Sequence, residues 1–186
     1  MNWKAAGAIG EIVGALGVIA TLGYLAVQTR HNTKAIKAST FQANTQLWQE
    51  WFLALAGSDA PGAYAQGMLG NPNLDGSAFQ KFWMACRALF LNFESQYYQY
   101  REGVLDEDSF RGYEQSLRGS TLPWPGIRAW WQLNRDGYGR DYAAYIDGMM
   151  ESTREIAAER AANPAEMLSA WKAVLENATL NGQTHR

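Results

Sequence analysis

Apolar residues run almost unbroken from Trp3 to Gln28, and Glu11 is the one charge between Ala5 and Val27. A helix of about 20 such residues is long enough to cross a bilayer. Residues 1–28 are therefore expected to form a transmembrane helix. Trp3 and Tyr24 stand about 31 Å apart at the helical rise, which matches aromatic belts on the two faces of a layer roughly 30 Å thick. A cleaved signal peptide needs a basic start, a short apolar core and a small-residue exit, and Leu25-Ala26-Val27-Gln28 offers no such exit. Arg30, Lys34 and Lys37 follow the span while Lys4 precedes it, so the positive-inside rule places the C-terminal side in the cytoplasm.

The span is expected to have two unlike sides. Gly7, Gly10, Gly14, Gly17 and Thr21 recur at alternating spacings of three and four, the period of a close-packed helix seam, and Gly10 to Gly14 is a G-x-x-x-G pair. Ile12, Val13, Leu16, Ile19 and Ala20 fall on the opposite side, suited to lipid. The small face points to self-association. Glu11 lies beside that face at a depth where a carboxylate costs about 3 kcal/mol on insertion scales. It needs compensation, either by hydrogen bonding across a helix interface or by a wet interior in which several copies ring a pore or proton path.

Beyond Gln28 the pattern changes without a helix break. No Pro or Gly interrupts Lys34 to Leu55, so residues 29–56 are expected to continue the helix, and Phe41, Trp48, Trp51, Phe52 and Leu55 give its end an apolar stripe. Residues 57–178 read as a helical cytoplasmic domain. Gly, Pro, Asn and Asp between Ala56 and Gly76 predict a loop with a short helix near Tyr64 to Leu69. Ser77 is expected to cap a helix to about Glu102, apolar on nearly every side from Phe82 to Phe93 and so central in a bundle. Its charges Arg87, Glu94 and Arg101 repeat every seven residues and share a face. Asp106, with Glu107 and Asp108 in the first turn, predicts a helix to about Arg118. Pro123-Trp124-Pro125-Gly126 is a rigid turn before a short helix, Ile127 to Asn134. A helix from Arg140 to Ala162 would place Tyr142, Tyr145, Ile146, Met149 and Ile156 on one face. Asn163-Pro164 starts a last helix carrying Leu168, Trp171 and Leu175, and residues 179–186 form a loose tail. No stretch alternates as a strand does. The expected fold is all-α: one N-terminal transmembrane helix continuing into a bundle of about five helices.

Composition narrows the function classes. The chain has 186 residues and a formal net charge of −2, with its basic residues scattered, so the basic footprint of a nucleic-acid binder is missing. A single cysteine, Cys86, excludes an internal disulfide framework and fits a reducing compartment.

The search for chemistry is mostly negative. Asn71 to Gly76 begins like a calcium loop, but its twelfth position is Phe82 where a bidentate Glu is required. Ser169 and Lys172 match S-x-x-K without the companion motifs of that serine chemistry. His31 and His185 are the only histidines, which leaves too few for a zinc site or a serine triad. Cys86, on a helix apolar on nearly every side, reads as core. No catalytic residue, metal or cofactor is assigned. Trp83, Trp130 and Trp131, with the tyrosines, could line an aromatic pocket for a small molecule.

Tyr24-Leu25-Ala26-Val27-Gln28-Thr29-Arg30-His31-Asn32-Thr33-Lys34-Ala35 resembles the membrane exit of a widespread group of small bacterial proteins. That group has one N-terminal span, a juxtamembrane Gln-x-Arg-x-Asn-Thr-x-Ala motif and an aromatic-rich helical remainder. Gln28, Arg30, Asn32, Thr33 and Ala35 match the motif, and Arg101 to Asp106 and Pro125 to Trp131 resemble its later blocks. The resemblance implies architecture and a bacterial inner-membrane location without naming an activity. From the residues themselves, Gln28 and Asn32 lie one helical turn apart on the seam side and could hydrogen-bond between subunits. The expected partners are thus the bilayer and further copies of the chain, with another protein also open. Three functions stay in play: a self-associating scaffold, an oligomeric ion or proton channel using Glu11, and a membrane-tethered sensor or enzyme with an aromatic pocket.

Overall fold

The computed structural model describes the backbone of residues 3–57, 60–162 and 172, with side chains at Glu11, 14–57, 61–159 and 172. The last helix expected from Asn163, with Leu168, Trp171 and Leu175, the Ser169 motif and the tail with His185 lie outside the described residues, Lys172 excepted. Helices account for the regular structure, and no strand occurs among the described residues. The fold is all-α.

The chain divides into two units, residues 1–43 and 44–186, and helix α1, Trp3–Ala56, contributes to both. In the first unit α1 is single and uncovered. Leu16, Val18, Ile19, Leu22, Tyr24, Leu25 and Val27 are each 50–67% exposed. No helix among the described residues is long and apolar enough to cross a membrane. The rest of the expected span, including the side chains of Trp3, Ile12 and Val13, lies outside the described ones.

The second unit holds the end of α1 and six further helices among the described residues: α2 (Ala60–Met68), α3 (Gly76–Arg101), α4 (Glu107–Ser116), α5 (Pro125–Asn134), α6 (Arg140–Ser152) and α7 (Arg154–Ala162). The cap of α3 is Asp75 rather than Ser77: its carboxylate accepts from the backbone N–H groups of Ser77 at 2.8 Å and Ala78 at 2.9 Å. One carboxylate oxygen, two and three residues ahead of the orphan donors, accepts from both and outcompetes a hydroxyl inside the first turn. Asp106 caps α4 likewise, accepting from the Ser109 N–H at 2.9 Å and its hydroxyl at 2.8 Å. Those bonds, the backbone one first, hold its carboxyl below the usual aspartate range. The ends of α2 and α3 are closed by Gly70 and Gly103, whose φ of 72° and 70° let the chain turn left-handed out of the helix.

Two expected helices divide. The one from Asp106 is α-helical only to Ser116 and continues as a π-helical turn, Leu117–Thr121, closed by a 2.9 Å bond from Leu122 N–H to Leu117 O. The one from Arg140 breaks at Thr153, whose hydroxyl donates back to Met149 O at 3.0 Å and competes with the helical ladder. As a result Ile156 falls on α7 and is 40% exposed, away from the buried Tyr142, Ile146 and Met149.

The core is aromatic. Phe82, Cys86, Leu89, Phe90 and Phe93 of α3 bury against Phe110, Ile127, Trp130, Trp131, Tyr142 and Ile146, and each such ring contributes about 1.5–3 kcal/mol on burial. α3 is not covered all round, because Met84 and Leu91, seven residues apart, are 59% and 43% exposed. The charged face of α3 meets the start of α6. The Arg87 guanidinium sits 5.1 Å over the Tyr138 ring, Glu94 accepts from Gly139 N–H at 2.8 Å, and Arg101 pairs with Asp141. The closest approach joins α2 to α5 through glycines: a Cβ on Gly126 would lie 1.7 Å from Gly67 O, and one on Gly67 would lie 2.2 Å from the Phe82 ring.

Candidate functional site

On α1 the candidate association face is open. A Cβ added at Gly14 or Gly17 would meet nothing within 4 Å, and the Thr21 hydroxyl donates to Gly17 O at 2.8 Å. That bond removes the one polar group the small face would otherwise present. Gly7 and Gly10 are helical, within the part of α1 whose side chains are not described, and Glu11 is exposed. Gln28, Arg30, Asn32 and Thr33 are exposed as well. The Thr33 hydroxyl donates to Thr29 O at 2.9 Å and that of Thr29 to Leu25 O at 2.8 Å. Arg30, Lys34 and Lys37, spaced by four and three residues, share a face of the helix.

The three tryptophans proposed for an aromatic pocket do not come together as one lining. Trp131 is 2% exposed and its Nε1–H donates to Asp147 Oδ1 at 2.8 Å. Asp147 also pairs with Arg135. Burial alone would raise the Asp147 carboxyl, but the Arg135 and Trp131 hydrogen bonds outweigh it and hold it below the usual aspartate range. Trp130 is also 2% exposed, with its ring stacked on Phe90 at 5.2 Å between centroids. Trp83 lies edge-on to Trp130 at 5.7 Å, and these two border a hollow of about 250 Å³ with Gly70, Pro72 and Phe79.

A groove of about 510 Å³ lies elsewhere in the second unit. One wall is the end of α1, with Thr45, Trp48, Gln49, Phe52 and Leu55. The opposite wall is the end of α4 and the π-helical turn, with Tyr113, Ser116, Ser120 and Thr121. Trp51 and, from α2, Tyr64 and Met68 line it too, and the buried Leu89 and Leu117 complete the lining. The α1 wall is held to α3: Asn44 Nδ2–H donates to Gln99 Oε1 at 2.7 Å and Trp51 Nε1–H to Ala85 O at 3.2 Å. Trp48 and Tyr113 lie across from each other with centroids 6.4 Å apart and planes 23° from parallel. Phe52 is 59% exposed at the mouth.

The α1 stripe was legible in the sequence, but its opposite wall was not. The interruption of helix chemistry at Arg118-Gly119-Ser120-Thr121 is the one local signal that could have drawn attention to it, since π-helical turns are frequent at functional sites.

Reactive groups are few here. Burial pushes the Cys86 thiol well above its ordinary range, and the Tyr64 hydroxyl is raised first by burial and then by the neighbouring Cys86. Neither is activated as a nucleophile or base at neutral pH. No group of three or more metal-ligating side chains occurs among the described residues. No protein-family model, curated protein or solved structure matches the chain.

Proposed function

We propose that this chain is a bilayer-anchored helical protein of a bacterial inner membrane. It associates with copies of itself through the small-residue face of α1 and holds its helical domain at the cytoplasmic surface as a structural or scaffolding unit. The observation that carries the reading is the exposure of seven large side chains from Leu16 to Val27 on a lone helix. At 3.6 residues per turn they surround the helix except for a strip of about 100°, which Gly14, Gly17 and Thr21 fill. A helix that is apolar on every side needs cover on every side, and nothing described in its own unit supplies it. Lipid covers the broad face, and a second copy fits the strip where Gly14, Gly17 and the self-bonded Thr21 let backbones approach. Arg30, Lys34 and Lys37, just past the apolar run, suit an anionic cytoplasmic leaflet.

The test is membrane extraction followed by sizing of the full chain in lipid nanodiscs. The chain is expected to resist carbonate extraction and to occupy discs as more than one copy, with Gly14→Leu and Gly17→Leu together reducing it to single copies. A carbonate-soluble chain would defeat the anchor. A strict monomer, or variants that assemble as the parent does, would defeat association through this face.

A further inference from the structure

The groove between the end of α1 and the π-helical turn has a chemistry more selective than its shape. We propose that it is a binding site for a neutral, planar, aromatic or quinone-like molecule bearing a hydrogen-bond acceptor. The site stands independently of the anchoring reading, because every residue that lines it belongs to the second unit.

Three observations point to that occupant. The volume of about 510 Å³ lies within the range of small-molecule pockets. Among the described residues, no Asp, Glu, Lys, Arg or His lines the groove, so an ion would lose hydration to them without gaining a counter-charge. The aromatic side chains set the shape: Trp48 and Tyr113 are within 23° of parallel, and Phe52 stands half out of the mouth beside them. A flat ring gains most from such faces.

The polar groups then select the edge of the molecule. Ser120 and Ser116 sit on one wall, with the Ser120 hydroxyl committed as a donor to Ser116 O. The indole N–H of Trp48 is covered and has no hydrogen-bond partner among the described residues, so it adds nothing to the polar side of the groove. The side chains of Gln49, Ser116 and Thr121 line the groove and carry donors that a ligand carbonyl can use, whereas a plain hydrocarbon uses none.

The experiment titrates coumarin, a neutral planar lactone, against the full chain, in nanodiscs if it inserts and in aqueous buffer if it does not, read by saturation-transfer NMR and by tryptophan quenching. Empty discs correct for partition into lipid. Saturable binding of one coumarin per chain is expected. Phe52→Ala removes an aromatic wall and Ser116→Trp fills the groove from the rim, and each should weaken binding by about tenfold or more. Leu53→Ala, one residue from Phe52 and 70% exposed outside the lining, should leave it unchanged. Far-UV circular dichroism of each variant should match the parent. The proposal falls if no saturable binding appears, if both groove variants bind like the parent, or if coumarin-3-carboxylate binds as well as coumarin. It also falls if binding disappears as the chain is concentrated, which would identify a second copy of the chain as the occupant.

Discussion

Gly126 is the position where a single methyl group should do the most damage. It lies at the start of α5 with its backbone against α2, and an added Cβ would be 1.7 Å from Gly67 O, 2.8 Å from Gly67 C and 3.1 Å from Met68 O. All three atoms are backbone, so no side-chain rotation relieves the clash. Reaching even 3.0 Å, below which Cβ contacts essentially never fall, requires α2 and α5 to part by about 1.3 Å. Parting them also loosens Phe82, which packs on Gly67. Overpacking of a well-filled site costs typically 1–3 kcal/mol, and a clash between two backbones belongs at the upper end, about 3 kcal/mol. At about 2–4 °C per kcal/mol for a chain of this size, Gly126→Ala should lower Tm by about 6–12 °C. The matched control is Gly112→Ala on α4, where the added Cβ meets nothing within 4 Å and relief of the glycine penalty of about 1 kcal/mol should raise Tm by about 2–4 °C. Thermal unfolding of the full-length variants in one detergent, followed by tryptophan fluorescence and circular dichroism, gives both shifts. A Gly126→Ala protein melting within a degree or two of the parent, or shifts of the same sign, would refute the close α2–α5 contact.

Two further outcomes follow from one buried and one half-buried polar group. Gln96 is completely buried with neither amide atom hydrogen-bonded among the described residues, so Gln96→Met, which keeps the length and removes the polar atoms, should raise stability in urea unfolding by about 1–2 kcal/mol; a loss of stability would show that the amide is satisfied. Asp147 should give the second unit an acid-sensitive contact. Its folded carboxyl lies below the ordinary 3.8, so its stabilising contribution is fully present above about pH 4 and disappears as pH falls through the lower folded value. Asp147→Ala also leaves the Trp131 N–H without its acceptor and should cost about 1 kcal/mol at neutral pH. The gap from the parent in urea midpoints should close below about pH 4, and a gap independent of pH would refute the ionic role.

Local signals were legible where chain neighbours supply the interaction. Asp106 with Glu107 and Asp108 announced the start of α4, and the apolar spacing within α3 and α6 marked helices. Legibility failed where rivals differed by one group. Ser77 looked like a cap because it is a capping residue type, yet Asp75, two positions earlier, holds the donors. Thr153 looked like a tolerable helix residue, yet its hydroxyl bonds back into α6 at the break. Trp83, Trp130 and Trp131 were grouped by type, and packing separated them: Trp131 turned to Asp147, Trp130 into the stack on Phe90, and only Trp83 and Trp130 share a hollow.

What the sequence determined by itself is the all-α class, and the reason is range: helical hydrogen bonds and 3.6-residue periodicity connect positions no more than about four apart. It also set the asymmetric character of α1, with small residues on one face and apolar ones round the remainder. Tertiary structure alone decided which helices touch and where they do not. Gly67 and Gly126 are 59 positions apart, and only the approach of α2 to α5 makes their missing side chains matter. The groove lies where the end of α1, bonded to α3 through Asn44 and Trp51, faces α4, a meeting of distant partners that no local pattern encodes.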